Sequence, residues 1–229
     1  MKKIVSFGDS FIFGSELRNN HDGSRAWPGL IARDLGIKYE TRSVPGCGND
    51  AIARQIMEYF YYNDPKDTLA VVNWTWALRW DFYAVQTESW TTLGPTCVPT
   101  KLESYVGGQE AERIINFYQD YTGHSSVWEK WRSVSVIYAA QKNLDHLGIS
   151  AIETYIDPEI VIDNEHSPGY TQALQKFIIP RLRTFEGMNF LDWSRHKGFR
   201  VTEPGWHPLE EAHRAAADLW REAYAHALA

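Results

Sequence analysis

The stretch Ile4-Val5-Ser6-Phe7-Gly8-Asp9-Ser10-Phe11-Ile12-Phe13-Gly14 constrains the fold more than any other part of the chain. β-favouring residues run straight into Gly-Asp-Ser, and the next glycine follows within one helical turn. Such a run predicts a buried first strand that ends in a tight turn and sets Ser10 at the strand's C-terminal edge. In open α/β sheets that edge is where ligands bind. On these residues alone two roles are open to Asp9 and Ser10: a nucleophile presented by the turn, or the cap of a short helix.

The rest of the chain alternates strand and helix patterns. Residues 26–36 read as a helix, with Trp27, Leu30, Ile31 and Leu35 on one face and Gly36 as its stop. Residues 37–43 read as a second strand, and Val44-Pro45-Gly46-Cys47-Gly48 must then turn sharply. Asn49 or Asp50 caps a helix through Tyr62 that carries Ile52, Ile56, Met57 and Phe60. Leu69 to Asn73 is a buried-strand run leading into Trp74-Thr75-Trp76. Residues 109–121 and 127–147 read as helices, and 149–155 as a fourth strand. Residues 170–185 form a helix that Pro180 kinks or splits, and Phe190-Leu191-Asp192 is a short fifth strand. Pro208 opens a closing helix with Ala212, Ala216, Leu219, Trp220, Ala223 and Ala227 on one stripe. Right-handed crossovers then give an α/β fold, a three-layer α/β/α domain around a central five-stranded parallel sheet. That pattern suits a flavodoxin-like protein as well as other open-sheet folds. The alternation breaks at about residues 81–108, where Gly, Pro, Thr and aromatics mix without a period. We read this as an aromatic-rich insertion in a single domain spanning 1–229, acting as a lid or a cleft wall.

Charge and composition narrow the function classes. A net charge of −6 and the lack of a dense Lys/Arg run argue against nucleic-acid or anionic-membrane partners. No stretch approaches the ~20 apolar residues of a membrane span, and the start lacks the apolar run of a signal peptide. A cytoplasmic location is therefore expected. Cys47 and Cys97 form no metal-ligand spacing and fit a reducing compartment. The ten tryptophans concentrate between Trp74 and Trp131. Buried indoles need partners for their N–H groups, so core packing and an aromatic-lined binding surface are both open.

A serine hydroxyl is a weak nucleophile until a base takes its proton. Of eight histidines, His207 lies in Glu203-Pro204-Gly205-Trp206-His207-Pro208, directly before the closing helix, whereas His213 reads as a packed or solvent-facing helix residue. Gly-Asp-Ser-x-x-x-Gly near the start, the Val44-Pro45-Gly46 loop and His207-Pro208 near the end resemble, in that order, blocks I, II and V of the SGNH (GDSL) hydrolase family. The resemblance implies the SGNH fold and a serine esterase that works through an acyl-enzyme, without metal or cofactor. It makes Ser10 the nucleophile and His207 the general base. It draws the oxyanion hole from the backbone N–H of Ser10, that of Gly46 (or Gly48), and a block III side chain.

Two blocks depart from the family. The block V aspartate, three residues before the histidine, is replaced by Pro204. Glu203 beside it is the first substitute for the acid, a backbone carbonyl the second, and Asp192 or Asp157 the remaining ones. The block III Gly-x-Asn is Asn73-Trp74-Thr75, so Thr75 or Asn73 would have to donate. Arg79, one turn further, either binds an anionic substrate group or pairs on the surface. Family members include deacylases of O-acetylated sugars, and tryptophan faces stack on pyranose rings. On that reading Trp74, Trp76, Trp80 and Trp90, with Tyr83, line a cleft for a small-molecule or glycan ester. Long-acyl esters or thioesters are the second substrate class. A faded SGNH domain that binds glycans or serves in an assembly is the third reading.

Overall fold

A computed structural model describes residues 2–94, 99–122, 126–162, 167–203 and 206–227. The first strand, β1 (Lys3–Phe7), is followed by α1 (Ser10–Phe13), α2 (Trp27–Asp34), β2 (Lys38–Thr41), α3 (Asn49–Tyr62) and β3 (Thr68–Trp74). Next come a hairpin, β4 (Trp80–Ala84) and β5 (Ser89–Leu93), and the helices α4 (Pro99–Val106), α5 (Gly108–Phe117) and α6 (Ser126–His146). β6 (Ser150–Tyr155), α7 (Gly169–Ile178), α8 (Phe190–His196) and α9 (Glu210–Ala227) complete the order. The main sheet is parallel, with strand order β2-β1-β3-β6. β3 is buried at every position, as a strand covered on both faces must be. Its side chains alternate between two cores: Leu69 and Val71 pack with α2, α8 and α9, while Ala70, Val72 and Trp74 pack with α3, α6 and α7. These are the outer layers of an α/β/α sandwich.

The sheet among the described residues has four strands, not the five expected. Phe190-Leu191-Asp192 begins α8, because the Asn189 side chain accepts from Asp192 N at 2.9 Å and starts a helix there. The place beside β6 goes to Leu182, which makes a single parallel bridge with Glu153. The 170–185 helix ends at Ile178, and Pro180 falls in a short 3-10 turn. In α9 Ala212 and Ala216 of the expected stripe are buried and Trp220 packs against the same core, but His213, Ala217 and Tyr224 join them, and Leu219 is 42% exposed. The described part of the insertion forms regular elements where its sequence showed no period. Hairpin and helices close a small core of Ala84, Leu93, Leu102, Val106, Ala111, Ile115 and Tyr118. Cys97 lies outside the described residues. Among them, no helix is long and apolar enough to cross a membrane.

The start of α3 is also built differently. Neither Asn49 nor Asp50 caps it. Gly48 occupies the cap position, and Asp81 on β4 supplies the acceptors, taking Gly48 N at 3.0 Å and Ala51 N at 3.0 Å. A Cβ on Gly48 would come within 2.4 Å of that carboxylate. α2 borrows its cap in the same way. Ala26 has no side-chain acceptor, and Trp27 N donates instead to His213 Nδ1 at 3.1 Å.

Burial holds His213 down to a pKa of about 3. Its unfolded counterpart takes a proton below about pH 6.5, so the unfolded state gains protons first and stability is lost as pH falls from there towards the folded pKa. We expect this histidine to contribute a loss of up to about 1.4 kcal/mol per pH unit between about pH 6 and pH 4. Urea unfolding of wild type and His213→Gln across that range measures it. Parallel pH slopes for the two proteins would rule it out.

Candidate active site

Of the two roles that the sequence left open, the cap is taken by Asp9, and the turn sets Ser10 beside it. Asp9 caps α1, accepting from Phe11 N at 3.0 Å, and Ser10 is the first residue of that turn. Gly8 has φ +152°, and a Cβ there would stand 2.8 Å from Asn73 O, so only glycine lets β1 turn against β3. Asp9 is fully buried, and its second oxygen accepts from Thr75 Oγ1 at 2.6 Å and Arg79 Nη1 at 2.9 Å.

The Gly46 loop is pinned to the same turn. Val44 N donates to Gly8 O at 2.9 Å, and the Cys47 thiol donates to the same carbonyl at 3.4 Å. Gly46 has φ +84°, the left-handed region that favours glycine. Among the described residues neither Ser10 N nor Gly46 N is engaged in a hydrogen bond. Two backbone donors therefore stand uncommitted on adjoining turns. Burial pushes the Cys47 thiol well up, so it stays protonated.

The segment after β3 holds the third group. Thr75 spends its hydroxyl hydrogen on Asp9 and accepts from Arg79 Nη1 at 2.8 Å. Asn73 lies inside the strand, because β3 continues through Trp74; its Oδ1 accepts from Thr154 at 2.9 Å and its Nδ2 is buried without a partner. The Thr75 hydroxyl hydrogen is thus committed to Asp9, whereas Asn73 keeps an unpartnered donor, buried within the strand rather than at its end. Arg79 lies between them and the loop, with Nη1 also donating to Cys47 O at 3.0 Å. Its side chain is 20% exposed, so the guanidinium is held from inside yet reaches solvent.

His207 comes to this edge from the far end of the chain. Its ring packs 4.9 Å from that of Phe11, and its Nδ1 lies 3.9 Å from Glu16 Oε1. Burial lowers its pKa, Asp9 and Glu16 pull it back up, and Arg79 adds to the lowering. No hydrogen bond joins Ser10 to His207 among the described residues, and His207 Nδ1 is buried without a partner. Glu203 is exposed and makes no ion pair with His207 among those residues. Pro204 and Gly205 lie outside them. Asp157 is committed to Ala77 N at 2.8 Å and Glu159 N at 3.0 Å. Asp192 is held by Asn189 at 2.7 Å. Both are occupied away from the imidazole.

The aromatic wall is only partly where the sequence put it. Trp74 is fully buried, with Nε1 donating to Glu153 at 2.9 Å, and takes no part in an accessible cleft. Trp80 packs in the insertion core with Phe82, Phe117 and Tyr118. Trp76 is half-buried against Phe11. Trp90 and Tyr83 are exposed. Trp90 helps line a groove of about 600 Å³ beside the Gly46 loop, with Val44, Cys47, Arg54 and Tyr59 among its other walls. Arg54 lies over the Trp90 ring at 4.1 Å.

Three structural residues had little or no local signal for the roles they take. Asn49 reaches Thr75 in both directions: its Oδ1 accepts from Thr75 N at 2.8 Å and its Nδ2 donates to Thr75 O at 3.1 Å. Asp81 anchors the loop and α3. Arg132 on α6 donates to the carbonyls of Ala77, at 3.1 Å, and of Arg79, and pairs with Asp50. Only the position of Asn49, just after the block II turn, offered a hint. Truncating it leaves buried Thr75 N and O without partners, which costs about 2–3 kcal/mol. Denaturant unfolding of Asn49→Ala should show a loss of that size; a change under about 0.5 kcal/mol would mean that the bridge does not fix Thr75.

No protein-family model matches the sequence, and no curated protein matches it. Solved structures do. A lipolytic protein of the G-D-S-L family from Veillonella parvula is 11% identical with a TM-score of 0.52, covering 98% of this chain and 99% of its own. The psychrotrophic esterase EstA from Pseudoalteromonas sp. is 12% identical with a TM-score of 0.51, covering 99% and 98%. A carbohydrate esterase family 2 enzyme with a carbohydrate-binding domain, from Corynascus thermopiles, is 13% identical with a TM-score of 0.50, covering 99% of this chain and 66% of its own. With the turn, loop and histidine arranged at one sheet edge, the chain has the fold of the SGNH/GDSL hydrolases.

Proposed function

We propose that the chain is a serine ester hydrolase in which Ser10 attacks the acyl carbonyl and His207 takes the hydroxyl proton. One observation carries this reading: the imidazole from the end of the chain packs on Phe11, the residue next to Ser10. Burial keeps that imidazole below its ordinary pKa, hence neutral at neutral pH, the state a general base needs. As the tetrahedral intermediate collapses, His207 returns the proton to the leaving alkoxide. Water then repeats the cycle on the acyl-enzyme.

The uncommitted N–H groups of Ser10 and Gly46 are the first two oxyanion donors in this proposal. Arg79 is the third, in place of Thr75 or Asn73, because it alone of the three combines a cation with access to solvent. One such donor is typically worth about 3 kcal/mol in the transition state. For the substrate we favour a short acyl, such as O-acetyl, ester of a hydroxylated or carbohydrate alcohol. The groove beside the Gly46 loop, whose lining includes neither Ser10 nor His207, mixes Arg54, Glu58 and Gln55 with Trp90 and Tyr59. Such walls suit a polar ring better than a long alkyl chain, which binds best against continuous apolar surface. The unmade bond between Ser10 and His207 favours a second reading, a faded domain that binds its ligand without turnover.

Purified wild type and Ser10→Ala should be compared on a chromogenic acetate and on octanoyl and longer esters, with a serine-reactive phosphonate as label. We expect wild type to label and to prefer acetate, and Ser10→Ala to lose both activities. A wild type that neither labels nor turns over any of these esters would end the esterase proposal and leave the binding module.

A further inference from the structure

The family's block V acid is missing, and its first substitute, Glu203, points to solvent. Yet His207 has a buried ring nitrogen, Nδ1, with no partner among the described residues. Unpaired buried polar atoms are uncommon and call for an explanation. Among the described residues, the charged groups facing this ring are Asp9 and Glu16 from the turn after β1 and Arg79 from the segment after β3, and the titratable His213 lies nearby on α9. Asp9 already accepts from Phe11 N, Thr75 and Arg79, with both oxygens engaged. His213 is neutral and engaged with Trp27 N. That leaves Glu16.

We propose that Glu16 is the positioning acid of this site, holding the Nδ1–H of His207 from the nucleophile's own turn and so leaving Nε2 as the nitrogen that takes the Ser10 proton. The assignment rests on the esterase reading above. Three observations support it. Glu16 Oε1 already lies 3.9 Å from Nδ1, about 1 Å outside hydrogen-bond range, and catalytic contacts often tighten only when substrate binds. The Glu16 side chain is 49% exposed and makes no other ion pair among the described residues, so nothing on the protein competes for it. Its backbone is held at φ 72°, a left-handed conformation unfavourable for a residue with a Cβ, in a turn closed by Gly14 N and Ser15 N on Ser10 O. That closure fixes Glu16 relative to Ser10, so one short turn carries both nucleophile and acid. Glu16 takes up no proton in the cycle; it stabilises the imidazolium after His207 has received one.

The test is an NMR titration of His207 in full-length wild type, Glu16→Gln and Glu203→Gln, together with kcat and KM on a chromogenic acetate. A carboxylate beside the ring favours its charged form, so Glu16→Gln should shift the His207 titration downward, and Glu203→Gln should not. Glu16→Gln should also lower kcat at least about tenfold with KM little changed, and Glu16→Asp should restore part of it. An unmoved titration in Glu16→Gln, or the same downward shift in Glu203→Gln, overturns the assignment whether or not the protein turns over ester. A titration that moves as expected in a wild type that never labels at Ser10 instead overturns the esterase reading, and the catalytic part of the assignment with it.

Discussion

A carboxylate taken wholly out of water has to be met by donors or it unfolds the place that holds it. Asp9 is such a carboxylate, and its three partners define the site. Phe11 N comes from its own turn, Thr75 from the end of β3, and Arg79 from the segment beyond. Arg79 in turn holds Cys47 O, which ties in the loop that contains Gly46. Loss of any one partner would leave a buried charge short of a donor, so the ends of β1 and β3 and the loop after β2 are locked to one another. The SGNH block III motif uses a glycine and an asparagine at this place. Here Thr75 and Arg79, beyond β3, bond to Asp9, and Asn73 lies inside the strand.

The same cluster sets the electrostatic balance at His207. Burial alone would drive the imidazole towards neutrality, and Arg79 adds to that tendency. Asp9 and Glu16 oppose both. A base needs this kind of standoff: neutral at rest, but with negative charge close enough to receive the imidazolium. The contrast with His213 is instructive, since that ring lies in the same last part of the chain and is also buried. It faces apolar rings and a backbone N–H, so it is a fixed hydrogen-bond acceptor rather than a switchable one.

What could be read from the sequence was what short segments encode by themselves. Strand-turn-helix at Gly8-Asp9-Ser10, the glycine of the block II loop and a histidine before a final helix each need only their neighbours. The α/β layering followed from periodicity in the same way. Residues that act across the chain left no such trace. Asn49, Asp81 and Arg132 matter because of what the sheet brings opposite them, and their neighbours in sequence do not reveal it. Short apolar runs misled for a related reason. Phe190-Leu191-Asp192 fits a strand or a first helical turn equally, and the side chain of Asn189 decides it. Tryptophan richness was likewise ambiguous, because Trp74 finds its N–H partner in buried Glu153 and never reaches the cleft.

Asp81 has a consequence for how such a protein can change over time. The helix that follows the Gly46 loop takes its capping acceptor from the inserted hairpin, and Thr92 of that hairpin donates to the same carboxylate. Loops on a hydrolase scaffold are usually traded freely to alter specificity. This one cannot be swapped alone: a replacement without a carboxylate at that spot would unseat the backbone that offers Gly46 N. Hairpin and loop must therefore be inherited as a pair, and any graft onto a related scaffold has to carry both.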